Sequence, residues 1–99
     1  MKKTISIILI AILPFIAIAE TCKGETKDGQ KVGNWKCYYA NGNVSQEGSY
    51  TQGKKTGIWR LYHDNGKIAG EGTYVDDKEK GKWKFFDEDG NMMLEQDFE

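Results

Sequence analysis

The stretch from Gly57 to Lys80 reads G-I-W-R-L-Y-H-D-N-G-K-I-A-G-E-G-T-Y-V-D-D-K-E-K, and the segments on either side of it repeat this pattern position by position. Glycines at positions 33, 57 and 81 begin the units, and tryptophans at 35, 59 and 83 follow them. The spacing is 24 residues in both intervals (57 − 33 and 81 − 57). A fixed period of this length indicates a repeat architecture, in which each unit buries its apolar side chains only against the next unit.

Each unit contains the period-two alternation of a β-strand. In the central unit, Trp59, Leu61 and His63 alternate with Arg60 and Tyr62, which is the spacing of side chains on the two faces of a strand and not that of a helix. Second strands are predicted at Val44 to Thr51, Ile68 to Val75 and Met92 to Phe98. Glycines at 48, 70 and 72 inside these strands indicate bulges, bends or the close approach of aromatic rings.

Two sets of turns connect the predicted strands. The first set, Ala40 to Asn43, Asp64 to Lys67 and Glu88 to Asn91, contains Asn-Gly or Asp-Gly, which are strong hairpin signals because these residues tolerate a positive φ. The second set, Gln52 to Thr56 and Asp76 to Lys80, leads into the next glycine-x-tryptophan. The sequence therefore predicts an all-β fold, a single-layer antiparallel meander of six or seven strands built from 24-residue hairpin repeats.

The N-terminal residues differ in composition from the repeats. Two lysines at positions 2 and 3 precede an apolar run from Ile5 to Ile18, and Ala17-Ile18-Ala19 is a small-x-small cleavage signal. This pattern predicts a signal peptide over residues 1–19, a mature chain from Glu20, and export to a periplasm or beyond. An uncleaved anchor is the alternative, although the run is shorter than the roughly 20 residues of a spanning helix.

Both cysteines of the chain, Cys22 and Cys37, lie in the mature part. An even number of cysteines in a small exported domain favours a disulfide. In the repeat alignment they occupy the places of Gln46 and Leu61, which are predicted to lie on neighbouring antiparallel strands joined by the turn around Gly53. The bridge would therefore attach an incomplete first unit to the sheet; two free thiols or pairing with another chain are the alternatives.

The repeated motif resembles a known family. It runs G-x-W-x-x-Y-x-x-N-G, then an apolar residue and E-G-x-Y, and in the central unit its residues are Gly57, Trp59, Tyr62, Asn65, Gly66, Ile68, Glu71, Gly72 and Tyr74. This pattern is similar to the bacterial variant of the MORN repeat over about Gly24 to Phe98. Members of that family are twisted single-layer antiparallel sheets, and many bacterial members are labelled antitoxins of the YwqK type. The resemblance implies the same sheet and an antitoxin-like or immunity-like role.

The predicted repeat domain spans residues 20–99. It consists of a half repeat at 22–32 and repeats at 33–56, 57–80 and 81–99. In the last repeat, Gln96 replaces the glycine found at Gly72, a departure that we interpret as a capping unit.

Rows of aromatic side chains are the features most open to a functional interpretation. We expect the tryptophan row to serve mainly as the core of a thin sheet, because each ring buries on the order of 150 to 250 Å². Partly exposed rings could instead form a groove for a sugar, a quaternary amine or an extended peptide. The candidate binding surface comprises Trp35, Trp59, Trp83, Leu61, Phe85, Tyr38 and Tyr62.

Catalysis, metals, cofactors and nucleic acid are not predicted. The glutamates at 47, 71 and 95 recur in every unit, as a structural ladder does and a catalytic group does not. Asp87 to Asn91 lacks the later ligand positions of a calcium loop, and His63 has no predicted partner for a metal site or a nucleophile relay. The formal net charge is −1, with no continuous basic stripe for nucleic acid.

Two classes of function remain after these exclusions. The first is a non-catalytic exported module that presents a face or an edge of its sheet to another protein. The second is binding of an envelope glycan, such as cell-wall material, or of a lipid headgroup at a membrane surface, through the aromatic rows. A protein partner predicts a contiguous exposed apolar patch, such as Leu61 with Phe85 or Ile68 with Met92, whereas a glycan predicts exposed rings flanked by polar groups.

Overall fold

The computed structural model describes residues 20–99, which form seven β-strands in a single sheet. The strands are β1 Thr21–Lys27, β2 Gln30–Tyr38, β3 Val44–Thr51, β4 Lys54–Tyr62, β5 Ile68–Val75, β6 Lys78–Phe86 and β7 Met92–Phe98. Their order in the sheet is their order in the chain, and every neighbouring pair is antiparallel. The predicted all-β meander is confirmed.

The predicted signal peptide, residues 1–19, lies outside the described residues. Within residues 20–99 there is no helix whose length and apolar character would suit it to crossing a membrane.

The tight turns are not the ones that the Asn-Gly signals predicted. Two-residue turns with positive φ at both positions occur at Asp28–Gly29, Gln52–Gly53 and Asp76–Asp77. The Asn-Gly segments form wider loops, in which the Tyr39 amide donates to the Asn43 carbonyl at 2.8 Å. As a result β4 begins at Lys54 and β6 at Lys78, because the predicted turns Gln52 to Thr56 and Asp76 to Lys80 are shorter than expected.

The glycine that begins each unit lies within a strand, not in a turn. The φ angles of Gly33, Gly57 and Gly81 are 72°, 76° and 71°, a region that side-chain-bearing residues rarely adopt. In the pairing of β3 with β4, Glu47 lies opposite Arg60 and Ser49 lies opposite Thr56. Gly48 alone therefore faces three residues, from Gly57 to Trp59.

This irregular pairing places each tryptophan over a glycine of the preceding strand. A Cβ atom built on Gly48 would lie 2.1 Å from the Trp59 ring, and one on Gly72 would lie 2.1 Å from the Trp83 ring. Gly24 and Trp35 have the same relation. Because the sheet has only one layer, this contact between ring and backbone replaces the second layer that usually completes a core. Trp59 and Trp83 are the most deeply buried large side chains, with 2% and 1% of their surfaces exposed.

A disulfide joins β1 to β2. Cys22 and Cys37 lie on neighbouring antiparallel strands, as the repeat alignment predicted, and they are directly opposite each other, as Gln46 and Leu61 are. The two sulfur atoms are bonded at 2.07 Å and close a loop with a sequence separation of 15. β1 is exposed along its whole length, so the disulfide and the backbone pairing with β2 are its main attachments to the sheet.

We expect loss of this disulfide to destabilise the protein by about 2 kcal/mol. The chain-entropy estimate for such a loop is about 3 kcal/mol, but β1 can detach locally while the other strands remain paired. In a variant with Cys22→Ser and Cys37→Ser, hydrogen exchange is expected to accelerate in β1 and to change little in β4 and β5. Equal acceleration in all strands would contradict this local mode of unfolding.

Candidate functional site

The two faces of the sheet differ in chemistry. We call the face that carries Trp35, Trp59 and Trp83 the tryptophan face, and the opposite face the polar face. Because side chains alternate along a strand, Leu61 shares the tryptophan face with Trp59, whereas Arg60 and Tyr62 belong to the polar face.

The aromatic rings of the tryptophan face form one continuous ladder. Tyr50 lies between Trp35 and Trp59, with its ring centroid 6.0 and 5.3 Å from theirs, and Tyr74 lies between Trp59 and Trp83 at 6.0 and 5.2 Å. Their interplanar angles lie between 77° and 90°, which is the edge-to-face arrangement that aromatic quadrupoles favour. The three tryptophans and the two tyrosines between them therefore form one interdigitated core.

Two lysines lie over the ladder, each above one tryptophan and one tyrosine ring. The Nζ atom of Lys31 lies 5.1 Å from the ring centroids of both Trp35 and Tyr50. Lys55 lies 4.8 Å from Trp59 and 4.9 Å from Tyr74. Each ammonium group is within the range of a cation–π interaction with two rings, and its aliphatic stem shields the rings from water.

The polar face carries a row of alternating charges across β2 to β7. The residues lie directly opposite one another in the order Lys36, Glu47, Arg60, Glu71, Lys84 and Glu95; we call this set the charge row. Lys36 and Glu47 approach to 3.9 Å, as do Arg60 and Glu71. Exposed cross-strand pairs of this kind contribute roughly 0.2–1 kcal/mol each. The recurrent glutamates thus form the structural ladder that the repeat predicted.

Tyr62 adds a strong contact to the charge row. Its hydroxyl donates a hydrogen bond to Oε2 of Glu47 at 2.5 Å. Burial of the Tyr62 hydroxyl, followed by this hydrogen bond and the charge of Glu47, raises the pKa of Tyr62 to about 12 from an ordinary value of 10.0. The contact stabilises the fold only while Tyr62 is protonated, so its contribution is complete below pH 10 and is lost as the pH rises towards 12.

We expect an alkaline titration to detect this contact. Followed by the ultraviolet absorbance of tyrosinate, the protein should have one tyrosine that ionises near pH 12. Tyr62→Phe should remove that step, and Glu47→Gln should lower its midpoint because the accepting charge is lost. Tyr38→Phe serves as the control, since it changes the equivalent residue of the preceding unit. Persistence of the late step in Tyr62→Phe would contradict the assignment.

Side chains also link successive loops at the wide-turn end of the sheet. The Tyr39 hydroxyl donates to the Tyr62 carbonyl at 2.5 Å, and Nε2 of His63, one repeat later, contacts the Phe86 carbonyl at 2.9 Å. Asp87 occupies the next equivalent position. Its Oδ1 accepts the backbone N–H groups of Asp89 and Asn91, and these bonds, chiefly that from Asn91, lower the pKa of the carboxyl group. These contacts serve turn geometry.

Shallow depressions occur on the polar face. One of about 290 Å³ is lined by residues that include Asn34, Ser49 and Arg60, and a second of about 230 Å³ is lined by residues that include Thr73 and Lys84. Ile58 borders both of them. They lie at or below the lower limit of ordinary ligand pockets, which are also mostly apolar. The described residues therefore offer shallow polar hollows on this face.

Exposed apolar side chains are concentrated on β7. Met92, Met93 and Leu94 are consecutive and are 52%, 67% and 50% exposed. Among the strands of residues 20–99, β7 pairs only with β6, so its outer backbone groups have no ladder partner within this range. β1 is the other edge strand, but its sequence T-C-K-G-E-T-K contains no large aliphatic or aromatic side chain.

The predicted binding surface does not form one surface. Trp59 and Trp83 are buried, and Trp35 is partly buried, so the tryptophans are core and not an open groove. Tyr38 and Tyr62 lie on the opposite, polar face, because they occupy the other phase of the strand alternation. Placing these residues on one surface was therefore wrong.

Leu61 and Phe85 are brought together as predicted. They lie on either side of Gly70 on the tryptophan face, since each is directly opposite it on a neighbouring strand. Both side chains are only partly exposed, as is Ile68, whereas Met92 is among the exposed residues. The most exposed large apolar side chains are consequently concentrated on β7 and not at Leu61, Phe85 or Ile68.

The described strands repeat one hairpin with one set of ring contacts, and the comparison of sequences agrees. The chain matches the MORN repeat variant over residues 31–52, 55–76 and 79–99. The chain belongs to the MORN repeat variant family. These repeats are generally associated with binding and interaction modules. No match to a curated protein was found.

The last unit of this MORN-variant protein departs from the motif for a physical reason. Glycine is needed at positions 48 and 72 because a tryptophan of the following unit covers it. Gln96 lies at the equivalent position of β7, and residues 20–99 supply no following strand to cover it. A side chain is therefore tolerated there.

Two lysines of the MORN-variant repeats were missed at the sequence level. Lys31 and Lys55 occupy equivalent positions, so the alignment contained the signal, but only the fold reveals that each covers two rings. Glu79 occupies the third equivalent position. It contributes, after burial, to the raised pKa of Tyr74.

The described part of the protein offers one group of potential metal-ligand atoms, Glu20 with Cys22 and Cys37. The two sulfur atoms in this group are joined in the disulfide, so they are not thiolates that could bind a metal. The carboxylate of Glu20 instead accepts a hydrogen bond from the Ser45 hydroxyl.

Proposed function

We propose that this protein is an exported, non-catalytic module that binds another protein. The observation that carries the proposal is the open edge strand β7, on which Met92, Met93 and Leu94 are each at least half exposed. An open strand edge is a ready template for pairing, and the exposed apolar side chains of β7 give a bound strand apolar surface to bury. The disulfide is compatible with an oxidising compartment outside the cytoplasm.

The MORN-variant family supports an interaction role in general, and an antitoxin or immunity role is the special case that we favour for an exported bacterial member. The target would then be met outside the cytoplasm. Such a role predicts that co-production of the protein with its target relieves the toxicity of that target.

Binding of a glycan or a lipid headgroup is the second candidate. Burial of the tryptophans weakens it, because a ring that is 1% or 2% exposed cannot stack on a sugar. The remaining support is the pair of polar hollows on the polar face, which offer hydroxyl, amide and charged groups but few exposed rings.

Capture from an envelope extract tests the proposal. The disulfide-intact protein is compared with Met93→Asp and Ile58→Asp, which introduce the same charge at two exposed apolar sites. Recovery of one specific protein, lost with only one of the two variants, would support a protein-binding module and locate its surface. Recovery of no protein, with equal retention of all three forms by cell-wall material or lipid vesicles, would favour the second candidate instead.

A further inference from the structure

We propose that the outer edge of β7 binds a partner protein by accepting one antiparallel strand that carries a Lys or Arg opposite Glu95. The inference rests on the proposed protein-binding function and adds the site, the mode of binding and the chemistry of the partner. It follows from how this sheet pairs its own strands.

The charge row ends with an acidic residue that has a cation on one side only. Glu47 lies between Lys36 and Arg60, and Glu71 lies between Arg60 and Lys84. Glu95 lies opposite Lys84 on β6 and has no neighbour on its outer side within residues 20–99. A strand added in the same register would bring a residue next to Glu95, and a cation there would complete the alternation.

In this sheet, the residue that follows a cation of the charge row is apolar. Leu61 follows Arg60, and Phe85 follows Lys84, so each cation is followed by a large apolar side chain on the tryptophan face. On an added strand the equivalent residue would lie opposite Leu94, which is 50% exposed. The preferred partner strand therefore contains a cation followed by an apolar residue.

Gln96 of β7 limits the size of one side chain on the partner strand. In the interior units a tryptophan precedes the cation and lies over a glycine, where a Cβ atom would approach it to 2.1 Å. Gln96 has that Cβ atom, so the partner must carry a small residue before its cation. Gln96 thus excludes another ordinary repeat strand, including one from a second copy of this chain.

Self-association through the free edges fits less well. Two β7 strands paired about their centres would bring Glu95 opposite Glu95, and like charges directly opposite are destabilising. Pairing of β7 with β1 of another copy could match Glu95 with Lys23, but β1 has no large apolar side chain for Leu94. A basic and apolar strand from a different protein satisfies both requirements.

A strand of this protein provides the probe. The segment Lys78–Phe86 pairs with β5 so that Lys84 lies opposite Glu71, and a labelled peptide of this segment with Trp83→Gly supplies the required cation, apolar and small residues. We expect saturable binding to the full-length protein, measured by fluorescence anisotropy. Changing Lys84→Glu in the peptide should weaken binding about tenfold, since attraction becomes repulsion.

Protein variants locate the site. Glu95→Gln should weaken peptide binding about threefold, whereas the matched change Glu71→Gln, inside the sheet, should leave it unchanged. Glu95→Lys should restore binding of the Lys84→Glu peptide. In the Glu95→Lys variant the new lysine also lies opposite Lys84 of the protein itself, so the melting temperature of this variant is compared with that of the parent. The peptide variants test the same contact without any change to the protein.

A gain of function tests the steric limit. The unmodified Lys78–Phe86 peptide, which keeps its tryptophan, should bind the parent weakly, and Gln96→Gly should strengthen its binding about tenfold by opening the space that Gly72 provides. No difference between the two proteins would contradict docking in this register.

The outcomes separate the inference from the function on which it rests. If the peptides do not bind, or bind Glu95→Lys as well as the parent, while the envelope partner is still captured, the edge is the wrong site but the module function stands. If no partner is captured either, both fail. A concentration-dependent dimer or polymer that Glu95→Lys abolishes would overturn the choice of a different protein as the occupant.

Discussion

Trp59→Ala is expected to reduce the free energy of unfolding by about 4 kcal/mol. Truncation of a buried tryptophan typically costs 3–5 kcal/mol, because burial is lost and a cavity remains. Trp59 is 2% exposed, is flanked by Tyr50 and Tyr74, and donates a hydrogen bond from Nε1 to the Ser49 carbonyl at 3.1 Å. Since small domains are stable by only about 5–15 kcal/mol, the variant should lose about a quarter or more of its stability.

Trp35→Ala is the matched control for this effect. Trp35 contacts Tyr50, but Thr26 takes the place of a second flanking ring on β1, and Trp35 is only partly buried. We therefore expect a loss of about half that of Trp59→Ala, measured by urea unfolding monitored by circular dichroism. Equal losses for the two variants would mean that the ladder is not cooperative across the units.

Much of the fold was predictable because the strands and their pairing had to be assigned within only one repeat of 24 residues. The alternation of Trp59 and Leu61 with Arg60 and Tyr62 specified strands, and the equivalence of Cys22 with Gln46 and of Cys37 with Leu61 specified their pairing. Each of these inferences needed only neighbours in the alignment, and neighbours in this alignment are also neighbours in space.

The turns were less predictable, because more than one backbone geometry suits the same residue types. Asn-Gly indicates a positive φ and a change of direction, and both occur in the loop that contains Gly42, whose φ is 94°. The Asn-Gly dipeptide does not specify how many residues the loop contains. The two-residue turn at Asp76–Asp77 contains no glycine, yet both residues have a positive φ, and Oδ1 of Asp77 accepts a hydrogen bond from the Lys55 amide at 2.8 Å. This contact reaches the neighbouring hairpin and has no local sequence signal.

The candidate site was the least predictable feature. Whether Trp59 is core or surface depends on the irregular pairing at Gly48, which allows its ring to lie over the preceding strand. Hydrophobicity alone cannot distinguish these alternatives. The exposure of Met92, Met93 and Leu94 likewise follows from their place on the last described strand, although their residue types are those of a buried strand.

Gly72→Ala is expected to cost about 3 to 4 kcal/mol, although it adds one methyl group. Its Cβ atom would lie 2.1–2.4 Å from three atoms of the Trp83 ring, a separation at which the ring has to move. Trp83 would then lose its burial and its hydrogen bond from Nε1 to the Thr73 carbonyl. The cost approaches that of truncating a buried tryptophan and exceeds ordinary overpacking.

Gly70→Ala supplies a control on the same strand and the same face. Its Cβ atom would lie 3.0 Å from Phe85 and 3.5 Å from Leu61, and these partly exposed side chains can shift. Replacing glycine also reduces the entropy of the unfolded chain, which favours the folded state by about 0.4–1 kcal/mol. Gly70→Ala should therefore change stability by less than about 1 kcal/mol, whereas Gly72→Ala should also increase the solvent exposure of Trp83, detected as a red shift in tryptophan fluorescence. If both variants lose equal stability without that shift, the contact between ring and glycine is not what holds the units together.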